Sequence, residues 1–297
     1  MSATLVAILV ATTVYAASLI VLLRRPGANL VEPLFLLGVL GVAFPALIAT
    51  LTRRPRSTPQ PLSRPPSAPM PVLAYLAAFS LLVLGWGFTA IAERWPDEPT
   101  QSIAQLVAKL ASMALLPALL FLPGSRLRPR FGARRLWLVF VAMAAAFLAF
   151  QAVFGRGLTT LRELAPSMQT LAWAIPACWL WQTLEAGLCE ELLFRRVLQQ
   201  RIADATRSQV AAVLWASLLF GLAHAPGLYL RGAHAMEGAS DPTPLWAVAY
   251  SIAMIAPAGI AFGVLWARTR SLWLVVALHG TVDLLPQLAP FIRAWSG

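Results

Sequence analysis

Nine apolar runs of about twenty residues, separated by short polar loops, limit what this chain can fold into more than any other feature. They cover roughly residues 3–23, 30–52, 72–92, 102–122, 136–154, 168–194, 209–225, 244–266 and 272–291. A hydrocarbon core about 30 Å thick takes about 20 helical residues to cross. Inside it, a span must satisfy every backbone N–H and C=O internally. The runs carry no strand alternation, so the predicted fold class is all-α: a polytopic membrane helix bundle of about eight or nine transmembrane helices. With only 12% charged residues and a mean hydropathy of +0.72, the chain is not a soluble domain with a large core.

The net charge of +11 comes from 22 Arg and a single Lys, Lys109. A basic balance of this size can indicate nucleic acid. Here the arginines sit in short loops between apolar runs, where they act as orientation signals, so no nucleic-acid partner is expected. The loops at 53–71, 123–135, 195–208 and 267–271 hold fifteen Arg, and the alternate set with the tail holds seven. The positive-inside rule makes the Arg-rich set cytoplasmic. The N-terminus is then cytoplasmic, in a multi-pass cell (inner) membrane protein whose surroundings are membrane lipid. Arg24 and Arg25 count against this orientation.

The stretch 53–71, RRPRSTPQPLSRPPSAPMP, has too many prolines for a helix and reads as a polyproline-like linker. It separates a two-span extension, 1–52, from one bundle at 72–297, with the candidate motifs inside 185–285. The first run has a small-residue patch like that of a signal peptide. It lacks a basic leader and continues apolar through Leu23, so it reads as a retained span. Gly259 and Gly263 form a small-xxx-small spacing that lets helices approach closely. The two cysteines, Cys178 and Cys189, share one apolar run and give neither a disulfide framework nor zinc-finger spacing.

Polar residues inside the runs are costly and point to function by default. His234, Glu237 and Asp241 fall in a polar loop, and Glu32 and Lys109 lie near span ends, where a side chain can snorkel to the interface. Glu185, Glu190, Glu191, His224, His279 and Asp283 remain. A helix from Glu190 to Ile202 runs ~18 Å out, and its return from Gln209 to His224 covers ~22 Å. A turn through Asp204–Ser208 therefore brings Glu190 and His224 to similar depth. The tip carries Gln199, Gln200, Arg201, Asp204 and Arg207 and is expected in the cytoplasm. His279 lies ~13 Å beyond Arg270, at a matching depth. Within helices, Arg195 can pair with Glu191 across one turn. His279 and Asp283 share a face, as do Phe220 and His224.

A buried Glu beside a His can hold and deprotonate a water, and a second His with a polar neighbour can stabilise an oxyanion. Glu190, His224 and His279 are also a possible ligand set for a catalytic zinc. Two further readings stay open at this point. One is a proton-coupled transporter path, since intramembrane acids and histidines build relays. The other is a buried polar network in a catalytically silent scaffold or immunity-type protein. Cys189 is a poor nucleophile candidate, pointing about 100° away from Glu190 on the helix.

Glu190-Glu191-Leu-Leu-Phe-Arg195, Phe220-Gly-Leu-Ala-His224 and His279-Gly-Thr-Val-Asp283 occur in this order on three predicted spans. Together they resemble the signature of the CPBP family, the CAAX-processing and bacteriocin-processing intramembrane proteases, which includes the Ras-converting CAAX endopeptidases. The likeness covers roughly residues 160–290. It implies an endopeptidase that works near the cytoplasmic leaflet on a peptide or membrane-protein substrate. By the resemblance, Glu190 is the base that activates water and His224 positions it. Glu191 and Arg195 orient the site, while His279 and Asp283 form a second polar wall. Asp283 stands where the family commonly has Asn. An ionised Asp cannot donate to an oxyanion, so its implied role is to orient His279. The family is often labelled metalloprotease-like, but its CAAX members imply no required cofactor, with zinc the alternative. The Ala- and Arg-rich composition suggests a GC-rich bacterial source.

Overall fold

The computed structural model describes residues 1–24, 29–53, 68–122, 129–231 and 243–296. Most of the predicted linker, with His234, Glu237 and Asp241, lies outside the described residues. Every regular element described is helical, and the chain is an all-α polytopic bundle. Among the described residues seven helices are long and apolar enough to cross a membrane: α1 (Ala3–Leu23), α2 (Val31–Leu51), α3 (Met70–Arg94), α4 (Thr100–Phe121), α5 (Ala133–Phe154), α8 (Gln209–Leu230) and α11 (Leu272–Trp295). Between α5 and α8 lie the short α6 (Gly157–Leu164) and α7 (168–206). The pair α9 (Pro244–Met254) and α10 (Ala256–Thr269) makes an eighth span if counted as one, bent by 41°.

Two of the nine predicted spans depart from a simple helix, for identifiable reasons. The run 168–194 is helical, but Gln182 and three glutamates make it less apolar than the other seven. The run 244–266 breaks at Ile255, two residues before Pro257. A proline has no N–H to donate and crowds the carbonyl four residues back. That carbonyl belongs to Ala253, and the Tyr15 hydroxyl donates to it at 3.3 Å.

The described helices form two compact units, Met1–Ala90 with Phe194–Arg268, and Ile91–Leu193 with Thr269–Gly297. In the first, α8 packs against α1, α9 and the Ser80–Gly87 stretch of α3. Leu22, Leu228, Trp246 and Ala253 form part of its core. Gly259 meets Ser217, and Gly263 meets Val213 and Gln199, so the small-xxx-small pair does serve close packing. In the second unit α11 is the hub, touching α5, α6 and the 168–188 part of α7. Cys178, Leu288 and Phe291 form a core there with Trp181 and Trp295. Outward faces carry large apolar side chains, such as Leu81, Leu82, Trp86, Leu138 and Val141, as lipid contact requires.

Candidate active site

The second unit gathers the ionisable residues of three helices. The 183–199 stretch of α7 departs from regular α-helix, with i→i+5 turns over Thr183–Leu188 and Glu191–Gln199. A third such turn, Leu110–Leu115, follows Lys109 in α4. Turns of this kind are rare and recur at functional sites. Here two of them lie on either side of Glu190, and the third directly follows Lys109.

His279, on α11, is the centre of the cluster. Its Nδ1 donates to Glu191 Oε1 at 2.8 Å, and the Glu191 carboxylate is fully buried. Its Nε2 stands 3.6 Å from Glu190 Oε2 and 3.5 Å from Asp283 Oδ2. A buried carboxylate on one ring nitrogen fixes the orientation of the ring and directs the other nitrogen at the reaction space. At 3.6 Å the two groups are too far apart for a good direct hydrogen bond, yet close enough for one water beside the pair to bond both.

Close approach of α7 and α11 makes this geometry possible. A Cβ at Gly187 would sit 2.4 Å from the Val276 carbonyl oxygen, and one at Gly280 would sit 2.2 Å from Thr183 Oγ1. Only glycine fits either position without moving backbone. Trp179 Nε1 donates to Thr281 Oγ1 at 3.0 Å and ties the same two helices one turn away.

Lys109 was expected at the interface, and its position is a correction to that reading. It is 8% exposed, forms an ion pair with Glu185, and stands 3.9 Å from Glu190 Oε1. An ammonium in the interior of a bundle is stable only when paired, and Glu185 supplies the partner. Glu185 also lines a cavity of about 250 Å³, with Gln105, Gln182, Gln287 and the rings of Trp181 and Trp295. The sequence signal for Lys109 was its singularity: one Lys among 22 Arg, nine residues into an apolar helix.

The first unit carries the remaining predicted residues. His224 is half-buried, and its Nδ1 donates to the Phe220 carbonyl at 2.7 Å. In the neutral ring that bond leaves the lone pair on Nε2. Phe220 packs edge-on against His224, with centroids 4.9 Å apart, and against Phe194 at 5.0 Å. The Arg195 guanidinium lies over the Phe220 ring at 4.8 Å, a cation–π contact. The expected turn is present: the helix ends at Thr206, Arg207 is left-handed at φ 55°, and Gln209 restarts it. At its tip Gln199, Gln200 and Asp204 are buried, while Arg207 is exposed. Gln199 donates to the Gly263 carbonyl at 2.9 Å and Gln200 to Asp204 at 2.8 Å, which removes the polarity that would have kept them in water.

Cys189 is fully buried, with its thiol directed at the Leu184 carbonyl at 3.3 Å, and serves as a packing residue. Among the described residues no group of three or more His, Cys, Asp or Glu side chains is placed to hold a metal ion.

The comparisons with known proteins follow the same stretch of chain. Residues 171–285 match the sequence model of the Rce1-like family, described as type II CAAX prenyl endopeptidase. The likeness of this segment supports membership of the CAAX-protease (CPBP) family, and the chain is a multi-pass membrane protein. No match is found among curated proteins, and none among solved structures.

Proposed function

We propose that this chain is an intramembrane endopeptidase that hydrolyses peptide bonds with a water activated by Glu190. One observation carries the reading: the buried Glu190 carboxylate faces His279 Nε2 across 3.6 Å, while Glu191 holds the other ring nitrogen at 2.8 Å. A water beside that pair is held by a proton acceptor, Glu190, and by an oriented imidazole, His279. Glu190 takes its proton as the oxygen attacks the peptide carbonyl, then returns it to the leaving amine. With both ring nitrogens protonated, His279 donates from Nε2 to the carbonyl oxygen as it gains charge, and Asp283 orients the ring. His224, whose Nδ1 bonds the Phe220 carbonyl, takes the water-positioning role that the family likeness implies. Glu191 holds the His279 ring in place, and Arg195 takes the orienting role that the family likeness implies. The family description supports a prenylated CAAX peptide as the first substrate class to test. The excess of Arg in one set of loops supports cleavage near the cytoplasmic leaflet and a cytoplasmic N-terminus.

The test is cleavage of fluorogenic prenylated CAAX peptides, and of a membrane-spanning peptide, by the full chain in proteoliposomes. Cleavage of either class is expected, with none in His224→Ala at equal membrane abundance. No cleavage of any peptide, or full activity in His224→Ala, overturns the reading. A second expectation concerns metal. Among the described residues no three donor groups are placed to hold a metal ion, and the metal-free reading is tested with a strong chelator, which is expected to leave the rate unchanged. Loss of activity in chelator, restored by zinc, would move Glu190, His224 and His279 from acid–base roles to metal ligation.

A further inference from the structure

We infer that Lys109 is a positioning residue for Glu190, held in place by Glu185, a role that rests on reading Glu190 as the base. Lys109 lies outside the matched segment and outside all three motifs. It is buried, its ammonium pairs with Glu185, and it stands 3.9 Å from Glu190 Oε1. The other Glu190 oxygen, Oε2, faces His279 at 3.6 Å. The Glu190 carboxylate is thus bracketed, with a cation toward one oxygen and the imidazole toward the other.

Its neighbours explain why a cation is needed. Glu185, Glu190, Glu191 and Asp283 put four carboxyl groups in the second unit around His279 and Lys109. Like charges this close repel and turn side chains away from one another. An ammonium between Glu185 and Glu190 offsets that repulsion and pulls Glu190 toward α4. Glu185 takes the wetter place in the wall of the 250 Å³ cavity, its side chain 22% exposed against 10% for Lys109. The cation is therefore shielded from water and turned inward. A compact ammonium with three donors can serve two carboxylates at once, which suits lysine better than the planar guanidinium used elsewhere in the chain.

The experiment replaces the pair, not one partner. Breaking a buried ion pair strands a charge, whereas replacing both partners with apolar residues of similar size is often neutral. Lys109→Met with Glu185→Met in the full chain, reconstituted in nanodiscs, is expected to keep its unfolding midpoint. With the fluorogenic prenylated peptide as probe, kcat is expected to fall about 100-fold with KM unchanged, the scale of a displaced catalytic group. Lys109→Arg alone is expected to retain at least a tenth of wild-type kcat. Wild-type kcat in the folded double variant overturns the inference and leaves the pair a packing feature. If the double variant does not fold, Lys109→Arg against Lys109→Gln decides it, and equal kcat in equally folded samples overturns it. Cleavage by Glu190→Gln at the wild-type rate would sink the base reading itself, an outcome separate from either of these.

Discussion

Glu190→Gln is expected to lower kcat by about 10²–10⁴-fold, the usual worth of a general base, while leaving folded protein and KM unchanged. The substitution keeps the shape and one carbonyl oxygen of the side chain but removes its capacity to take a proton. Glu190 is 7% exposed and sits between His279 Nε2 at 3.6 Å and Lys109 Nζ at 3.9 Å. An amide in this place loses its attraction to the lysine, so the fall in rate combines a missing base with a weaker hold on water. Folding is spared because the contacts that join α7 to α11 run through glycine notches and the Trp179–Thr281 hydrogen bond. The measurement is initial rate against peptide concentration, with thermal unfolding of the same preparation as control. More than a tenth of wild-type kcat in Glu190→Gln would show that another group activates the water.

The residues of the cluster were legible in the sequence to different degrees, and the differences have physical causes. Hydropathy identified the helices because a span must be both apolar and about twenty residues long. His279 and Asp283 were placed on one face by their spacing, and each stands within 3.6 Å of a neighbour in the cluster. Lys109 was misread because spacing describes one helix at a time. Its partners, Glu185 and Glu190, are more than seventy residues away in sequence and on another helix. Gln199, Gln200 and Asp204 are buried despite their polarity because hydrogen bonds come from Gly263 and from within the turn, partners that a polar stretch of sequence does not reveal. The i→i+5 turns at Thr183–Leu188 and Glu191–Gln199 were invisible for a third reason. A 3.6-residue period was assumed through a stretch that does not keep it.

The glycines show the same limit and carry the second large effect, expected from Gly280→Ala. Gly259 and Gly263 stood out because they repeat on one helix at a known packing interval. Gly187 and Gly280 do not, one being on α7 and the other on α11, yet they are the tighter contacts. A Cβ at Gly280 would lie 2.2 Å from Thr183 Oγ1 and 2.8 Å from Thr183 Cα and N. The hydroxyl could rotate away, but the backbone atoms cannot, so the helices must separate by roughly 1 Å, a misplacement of the size that costs about 100-fold in rate. His279 is the adjacent residue, and its Nδ1 bond to Glu191 spans the same gap at 2.8 Å. Overpacking of this kind typically costs about 1–3 kcal/mol. Gly280→Ala is therefore expected to lower the unfolding midpoint and to reduce kcat by about 100-fold in the fraction that stays folded. Adding Thr183→Ala removes the hydroxyl clash but not the backbone one, so it should recover part of the stability and little of the rate. An unchanged midpoint and kcat in Gly280→Ala would mean that α7 and α11 have slack to give, and that the Glu190–His279 distance is not set by this notch.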